Sequence, residues 1–290
     1  MRKIFINQLV KAATKNKKIV LIVGDLGYGI VEPFKEKFPK RFFNAGVSEQ
    51  SMAGIAAGLA LKGFHVFIYS IANFPTFRCA EQIRNDVDYH NFPVTIVAVG
   101  AGVSYGHLGY SHHALQDYGL MRLFPNMLIL SPGNNDELLS SLDYLIKNPQ
   151  PSYLRLDKVS NDKAIYKNFK NIFPGKLNEL KINDPKKAII TTGNTQDIAM
   201  KILNKDYPSY SLLSMPMWGM KFKNKARQYF KKYSKIITIE DHLEDGGFGS
   251  WVKECININD KIKINSKFIS SNVVSKVGNK KFLLEKYGPK

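Results

Sequence analysis

The sequence predicts a doubly wound α/β domain followed by a smaller α/β domain. Three observations carry this. Short β-branched runs without polar alternation recur through the first half and are separated by helical patterns, as in parallel strands buried on both faces. Residues 158–185 then lose pattern and hold Asn161, Asn168, Asn171, Pro174, Gly175 and Pro185, a composition of turns and linkers. Finally, the strand–helix alternation restarts at 187. The expected division is therefore 1–157, a linker over 158–185, and 186–290.

In the first half, residues 18–24 (KIVLIVG), 64–70, 93–100 (PVTIVAVG), 127–131 and 151–156 read as strands. Residues 7–15, 48–61, 75–89, 115–123 and 136–146 read as the helices between them. Residues 42–45 read as a short extended segment. After the linker, strands are expected at 187–192, 210–214, 236–240 and 263–269. Helices are expected at 195–204, 223–233, 249–256 and 281–287.

Composition narrows the function classes. The 290 residues are 44% hydrophobic and 23% charged, an ordinary globular balance. No apolar run approaches the ~18 residues of a membrane helix, and the first residues lack a signal-peptide core. Cys79 and Cys255 fall in different expected domains and form no metal-spacing motif, so a reducing cytoplasm is the expected location. The net charge of +18 invites comparison with nucleic-acid binders, and residues 220–235 hold seven Lys or Arg and no acid. That charge is mostly lysine spread over helix surfaces, with no helix-turn-helix, RNA-recognition or zinc-finger pattern beside it. Neither a nucleic-acid nor a membrane partner is expected; a general attraction for anionic substrates ranks above nucleic-acid binding, and a solvated face ranks above both.

The stretch Gly46-Val47-Ser48-Glu49-Gln50 places a lone carboxylate at the start of an expected helix rich in Ala, Gly, Met, Ile and Leu. Helix dipoles favour an anion there, and taken alone Glu49 is an ordinary first-turn residue. Its surroundings change that reading. Ile71, Phe74 and Phe77 follow at a spacing of three, and an Arg78-Cys-Ala-Glu-Gln-Ile segment follows them. Then comes the glycine-rich loop Gly102-Val-Ser-Tyr-Gly-His-Leu-Gly-Tyr-Ser-His-His113, which carries three histidines.

This order resembles the pyrimidine-binding half of the transketolase family of thiamine-diphosphate enzymes. There the pieces read as a G-V-x-E helix start, an S-x-F-x-x-F segment, an E-Q-I helix and a G-x-[ST]-H loop. Residues 239–249 (IEDHLEDGGFG) and 284–288 (LEKYG) resemble the family's C-terminal domain. The resemblance implies that Glu49 hydrogen-bonds the aminopyrimidine ring nitrogen, so that the exocyclic nitrogen can act as base toward the thiazolium C2 proton. Such a role needs a shielded carboxylate on a rigid element. The resemblance also implies that Ile71, Phe74 and Phe77 wall the pyrimidine, with Ile71 a departure from the aromatic pattern. It puts Asp25 near the cofactor at a strand's carboxyl end, His112 and His107 beside the substrate, and Arg155 on a sugar phosphate. His113 and Leu108 receive no role from it.

Several positions depart from the family. Gly106-His-Leu-Gly109 stands where ordinary transketolases show G-E-D-G, so the acid that reads donor hydroxyls has become Leu108. Gly100 and Gly29 replace a phosphate-side histidine and a serine. The implied sugar pocket is thus rewritten, pointing to a modified, nucleotide-linked or branched sugar.

The G-D-G…N motif that holds diphosphate and Mg²⁺ is absent from residues 1–290. The chain matches only the C-terminal half of a full-length transketolase. A partner subunit carrying the diphosphate and metal site is expected, in an α2β2 assembly that transfers a two-carbon ketol unit. Two alternatives remain within the class: a 1-deoxyxylulose-5-phosphate synthase-like subunit and a 2-oxo-acid dehydrogenase β-like subunit. A non-catalytic scaffold of the same fold is the alternative from another class.

Overall fold

Two mainly parallel sheets organise the chain. The computed structural model describes residues 1–157 and 172–290; the expected linker residues 158–171 lie outside these. Six strands come from the first half: β1 Ile19–Val23, β2 Phe42–Asn44, β3 His65–Ile71, β4 Val94–Val99, β5 Leu128–Leu130 and β6 Ser152–Leu156. The second half supplies β7 Asn178–Lys181, β8 Lys187–Thr191, β9 Ser211–Ser214, β10 Met217–Trp218, β11 Lys235–Ile239 and β12 Lys263–Lys267.

The first sheet has the order β10-β5-β6-β4-β3-β1-β2, and the second β12-β11-β8-β9-β7. Strands β1, β4, β5 and β6 are buried along their whole length, which explains the unalternating apolar sequences of β1, β4 and β5. One core packs on each face of the first sheet. Val20, Ile22, Ile68 and Ile96 meet Met52, Ala53 and Ala56 on one side. Leu21, Phe67 and Val97 meet Phe5, Leu9 and Leu142 on the other.

Two strands depart from the expected layout. The end of the expected linker is β7, paired antiparallel with β9. Strand β10 belongs by sequence to the second half, yet pairs antiparallel with β5 in the first sheet. Both strands are too short for a period-two signal to stand out.

Helix bounds also differ. The first helix begins at Arg2 rather than residue 7, because Met1, Phe5, Ile6, Leu9 and Ala13 share one buried face. The helix expected over 75–89 is broken into Phe74–Phe77, Ala80–Gln82 and the π-helix Ile83–Asp88. Thr76 Oγ1 donates back to the carbonyl oxygen of Ala72 at 2.7 Å, a bond that bends helices. Further on, the amides of Tyr89 and Phe92 reach five residues back, to Arg84 and Val87. The helix expected over 115–123 is shortened to Asp117–Met121.

Chain order crosses over between β1 and β3: β2 lies on one side of β1, and β3 leads away on the other. Doubly wound sheets place ligands outside the strand ends at such a switch point. Asp25 follows β1, Glu49 follows β2, Phe74 follows β3 and the histidine loop follows β4.

Candidate active site

Glu49 opens the helix Glu49–Leu61 and is only 3% exposed. The Ser48 side chain makes no capping bond, so the carboxylate is the anion nearest the helix's positive end. Its Oε2 accepts a bond from Arg78 Nη1 at 3.0 Å, and Ser70 Oγ approaches Oε1 at 3.4 Å. The sequence placed a shielded acid here, and the structure shows one.

Phe74 is half-buried and Phe77 is 47% exposed. Both line a cleft of about 420 Å³ together with Asn73, Arg78, Tyr110, Ser111 and Gln116. Ile71 ends β3 just before them and is partly buried. Asn73 fastens this segment to the histidine loop, its Nδ2 donating to the carbonyl oxygens of His113 (2.8 Å) and Ser111 (3.1 Å). His112 thereby comes edge-on to Phe74, with ring centroids 5.3 Å apart. Its Nδ1 is paired with Ser111 Oγ at 2.9 Å. Burial lowers the His112 pKa, and the neighbouring His107 and Arg78 lower it further. A histidine so placed favours its neutral form and is available to accept a proton.

His107 is exposed on the same loop. Asp25 has φ 54, a left-handed geometry uncommon outside glycine. Its Oδ1 accepts from Asn44 Nδ2 and from Tyr28 Oη, both at 2.9 Å, and these two bonds hold its pKa below the usual carboxylate range. Asn44 Oδ1 in turn accepts from the amides of Asp25 and Gly46. The Asp25 turn and the approach to Glu49 are thus tied together.

Arg155 corrects an expectation. It is 1% exposed and lies inside the molecule, where its guanidinium bonds Asp117, Asp241 and the carbonyl oxygen of Ala114. A strand residue buried on both faces cannot present its side chain to a sugar phosphate. Burial opposes its charge, but the adjoining carboxylates of Asp117 and Asp241 prevail and raise its pKa.

Sequence reasoning missed Arg78, Asn73, Asn44 and Ser70. Arg78 carried one usable signal, a lone cation directly after the aromatic pair. The two asparagines act through turns that have no periodic signature.

The described residues contain no group of three His, Cys, Asp or Glu able to hold a metal ion. None of their helices is long and apolar enough to cross a membrane.

The fold and site define a doubly wound α/β protein that collects a shielded carboxylate, aromatic walls and histidines at strand ends, the arrangement of a cofactor-binding domain. Comparison with known proteins makes the class specific. Residues 1–162 match the profile described as "Transketolase, pyrimidine binding domain", and the chain belongs to the transketolase family.

It is 31% identical over 263 residues to an apulose-4-phosphate transketolase subunit of Actinobacillus succinogenes, covering 87% of this chain and 82% of that one. The corresponding apulose-4-phosphate transketolase subunit of Phocaeicola vulgatus is 30% identical over 262 residues, covering 89% and 84%. Among solved structures, one described as a split gene transketolase, inactive beta4 tetramer, superposes with a TM-score of 0.84 at 28% identity. That match covers 100% of this chain and 93% of the other. The chain is accordingly a subunit of a thiamine-diphosphate-dependent, transketolase-type transferase.

Proposed function

We propose that this chain is the pyrimidine-binding subunit of a split transketolase that moves a two-carbon ketol unit between sugar substrates. One observation carries the reading: the shielded Glu49 carboxylate is bonded by Arg78, which lines a cleft with Phe74 and Phe77, and His112 lies against the same Phe74 ring.

These residues fit the aminopyrimidine half of thiamine diphosphate. A flat ring finds an aromatic wall, and a ring nitrogen finds a carboxylate with little competing water. When bound, the cofactor would supply a carbon nucleophile toward a ketose carbonyl and a sink for the electrons of the neighbouring C–C bond. Glu49 holds the ring nitrogen's proton and keeps the ring in register. With Nδ1 engaged by Ser111, His112 exchanges protons with substrate hydroxyls through Nε2, and His107 lies near enough to tune it. Asp25 closes the cofactor's side of the switch point. The aromatic pair and Ile71 exclude water from the ring.

The diphosphate and Mg²⁺ are assigned to a partner subunit in an α2β2 assembly. Supporting this, the outward face of the helix Glu49–Leu61 is apolar and unpartnered: Ile55 and Leu61 are exposed, and Cβ atoms added at Gly54 or Gly58 would meet nothing within 4 Å. Such a face suits close packing against another subunit. The names of the two relatives, which specify apulose 4-phosphate, favour a phosphorylated sugar as substrate. Leu108, exposed on the histidine loop, favours a donor lacking a hydroxyl to be read there.

The deciding experiment is reconstitution with the partner that bears G-D-G…N. Thiamine diphosphate uptake by calorimetry and ketol transfer are expected from the pair, and transfer falls by about a hundredfold or more with Glu49→Gln. No cofactor uptake by the wild-type pair, or ketol transfer equal to wild type in the Glu49→Gln pair, would overturn the assignment.

A further inference from the structure

We propose that in the free chain Arg78 occupies the two contact faces that the aminopyrimidine ring takes in the assembled enzyme, so that cofactor entry expels the guanidinium. The inference rests on the function proposed above. A docked aminopyrimidine would need a carboxylate to receive its nitrogen proton and an aromatic face to lie against. In this chain both are already engaged by one side chain. Arg78 Nη1 donates to Glu49 Oε2 at 3.0 Å, and the guanidinium carbon lies 4.0 Å from the Phe74 ring centroid.

The chemistry of the two groups is alike. A guanidinium is planar and delocalised, carries N–H donors in its plane and stacks on aromatic faces. It therefore matches the ring's hydrogen bond and its stacking together, which an ammonium does not. There is also a reason for a stand-in. An almost fully buried carboxylate without a counter-charge is unfavourable, and Glu49 has no other cationic partner among the described residues. The difference in exposure fits an exchange: the Glu49 side chain is 2% exposed and sits on a helix, whereas that of Arg78 is 45% exposed. Arg78 also lies at the break between Phe74–Phe77 and Ala80–Gln82, where Cys79 leaves helical geometry at φ −126. The carboxylate stays in place, and the guanidinium is the part that can leave toward solvent or the partner.

The test uses the full chain and thiamine itself, which carries the pyrimidine but no diphosphate and so does not call on the partner's metal site. With ¹⁵N-arginine labelling, the free chain is expected to give a protected Arg78 side-chain signal, identified by its loss in Arg78→Met and shifted in Glu49→Gln. Saturating thiamine should move that signal to the position of a solvent-exposed arginine. Arg78→Met, which keeps an apolar stem over Phe74 and removes the competing donor, should bind thiamine about tenfold more tightly. Arg78→Lys keeps the charge and guards against a folding artefact; it should show a gain of about threefold.

An Arg78 signal unchanged at saturation, while other cleft signals shift, would overturn the proposal and leave the assigned function standing. Weaker thiamine binding by both variants would do the same. If neither wild type nor Arg78→Met binds thiamine, the proposal also fails, and cofactor uptake by the reconstituted pair then decides the function separately.

Discussion

Arg155, on the last strand of the first half, donates from Nη1 to Asp241, 86 residues later, and both side chains are shut away from water. The same guanidinium holds the Ala114 carbonyl oxygen at 2.8 Å, two residues beyond His112. A buried ion pair thus links the second half of the chain to the base of the histidine loop. Truncating Arg155 leaves Asp117 and Asp241 as buried, uncompensated acids. Arg155→Met is expected to lower stability by about 3–5 kcal/mol, measured by urea unfolding. In the double variant Arg155→Met/Asp241→Asn, part of that loss should return, because one stranded charge is gone.

The C-terminal segment should brace the histidine loop. Gly278 donates its amide to the carbonyl oxygen of Gly106 at 3.1 Å, and a side chain at Gly106 would collide with Leu283. Val103 and Leu115 share a small core with Val273 and Leu283. Lys280 pairs with Asp157, which also accepts from Ser104 Oγ at 2.6 Å. Removing residues 279–290 is expected to speed amide hydrogen exchange across residues 103–113 while leaving β1, β3 and β4 protected. Lys280→Met should do the same to a smaller degree.

The acid titration of His112 should respond to its neighbour. Burial, His107 and Arg78 all favour its neutral form. Removing the His107 imidazole deletes one like charge, so the proton is held more readily. In His107→Ala the His112 midpoint should move to higher pH, read directly by NMR titration of the free chain. In the reconstituted enzyme the acidic limb of kcat/KM should move in the same direction.

Glu240 should make stability depend on pH in a direction opposite to that of most carboxylates. Burial pushes its pKa up to about 8, against the opposing amides of Gly249 and Phe248, which donate to it at 2.7 and 2.6 Å. Between the unfolded value, near 4.5, and about 8, the folded chain holds a proton that the unfolded chain has released. The contribution is therefore full at low pH and is lost as pH rises through that window, by up to ~1.4 kcal/mol per pH unit. Melting curves should show Glu240→Gln to be flatter than wild type between pH 5 and 8.

The central strands were legible because burial on both faces leaves continuous apolar runs, as in Ile19–Val23 and Val94–Val99. Glu49 was legible because a carboxylate before an Ala/Gly-rich helix stands out, and His112 because its loop has a recognisable spacing. Arg155 was misread for a physical reason. Its partners, Asp117 and Asp241, are remote in sequence, and one-dimensional pattern cannot show a charge neutralised from two directions. Arg78 lay hidden because its two contacts, Glu49 and Phe74, belong to different elements. The π-helix after Gln82 was also out of reach, since Ile83–Asp88 is too short for its longer turn to show in the apolar pattern.

The antiparallel strand Met217–Trp218 has a consequence for how this protein can be divided. It caps the edge of the first sheet at Leu130 and Ile129, with Trp218 itself fully buried. A fragment ending near residue 157 would bare that edge to self-association. Calorimetry of the intact chain should accordingly show a single endotherm, and a cut between the two sheets should cost more stability than a cut outside them.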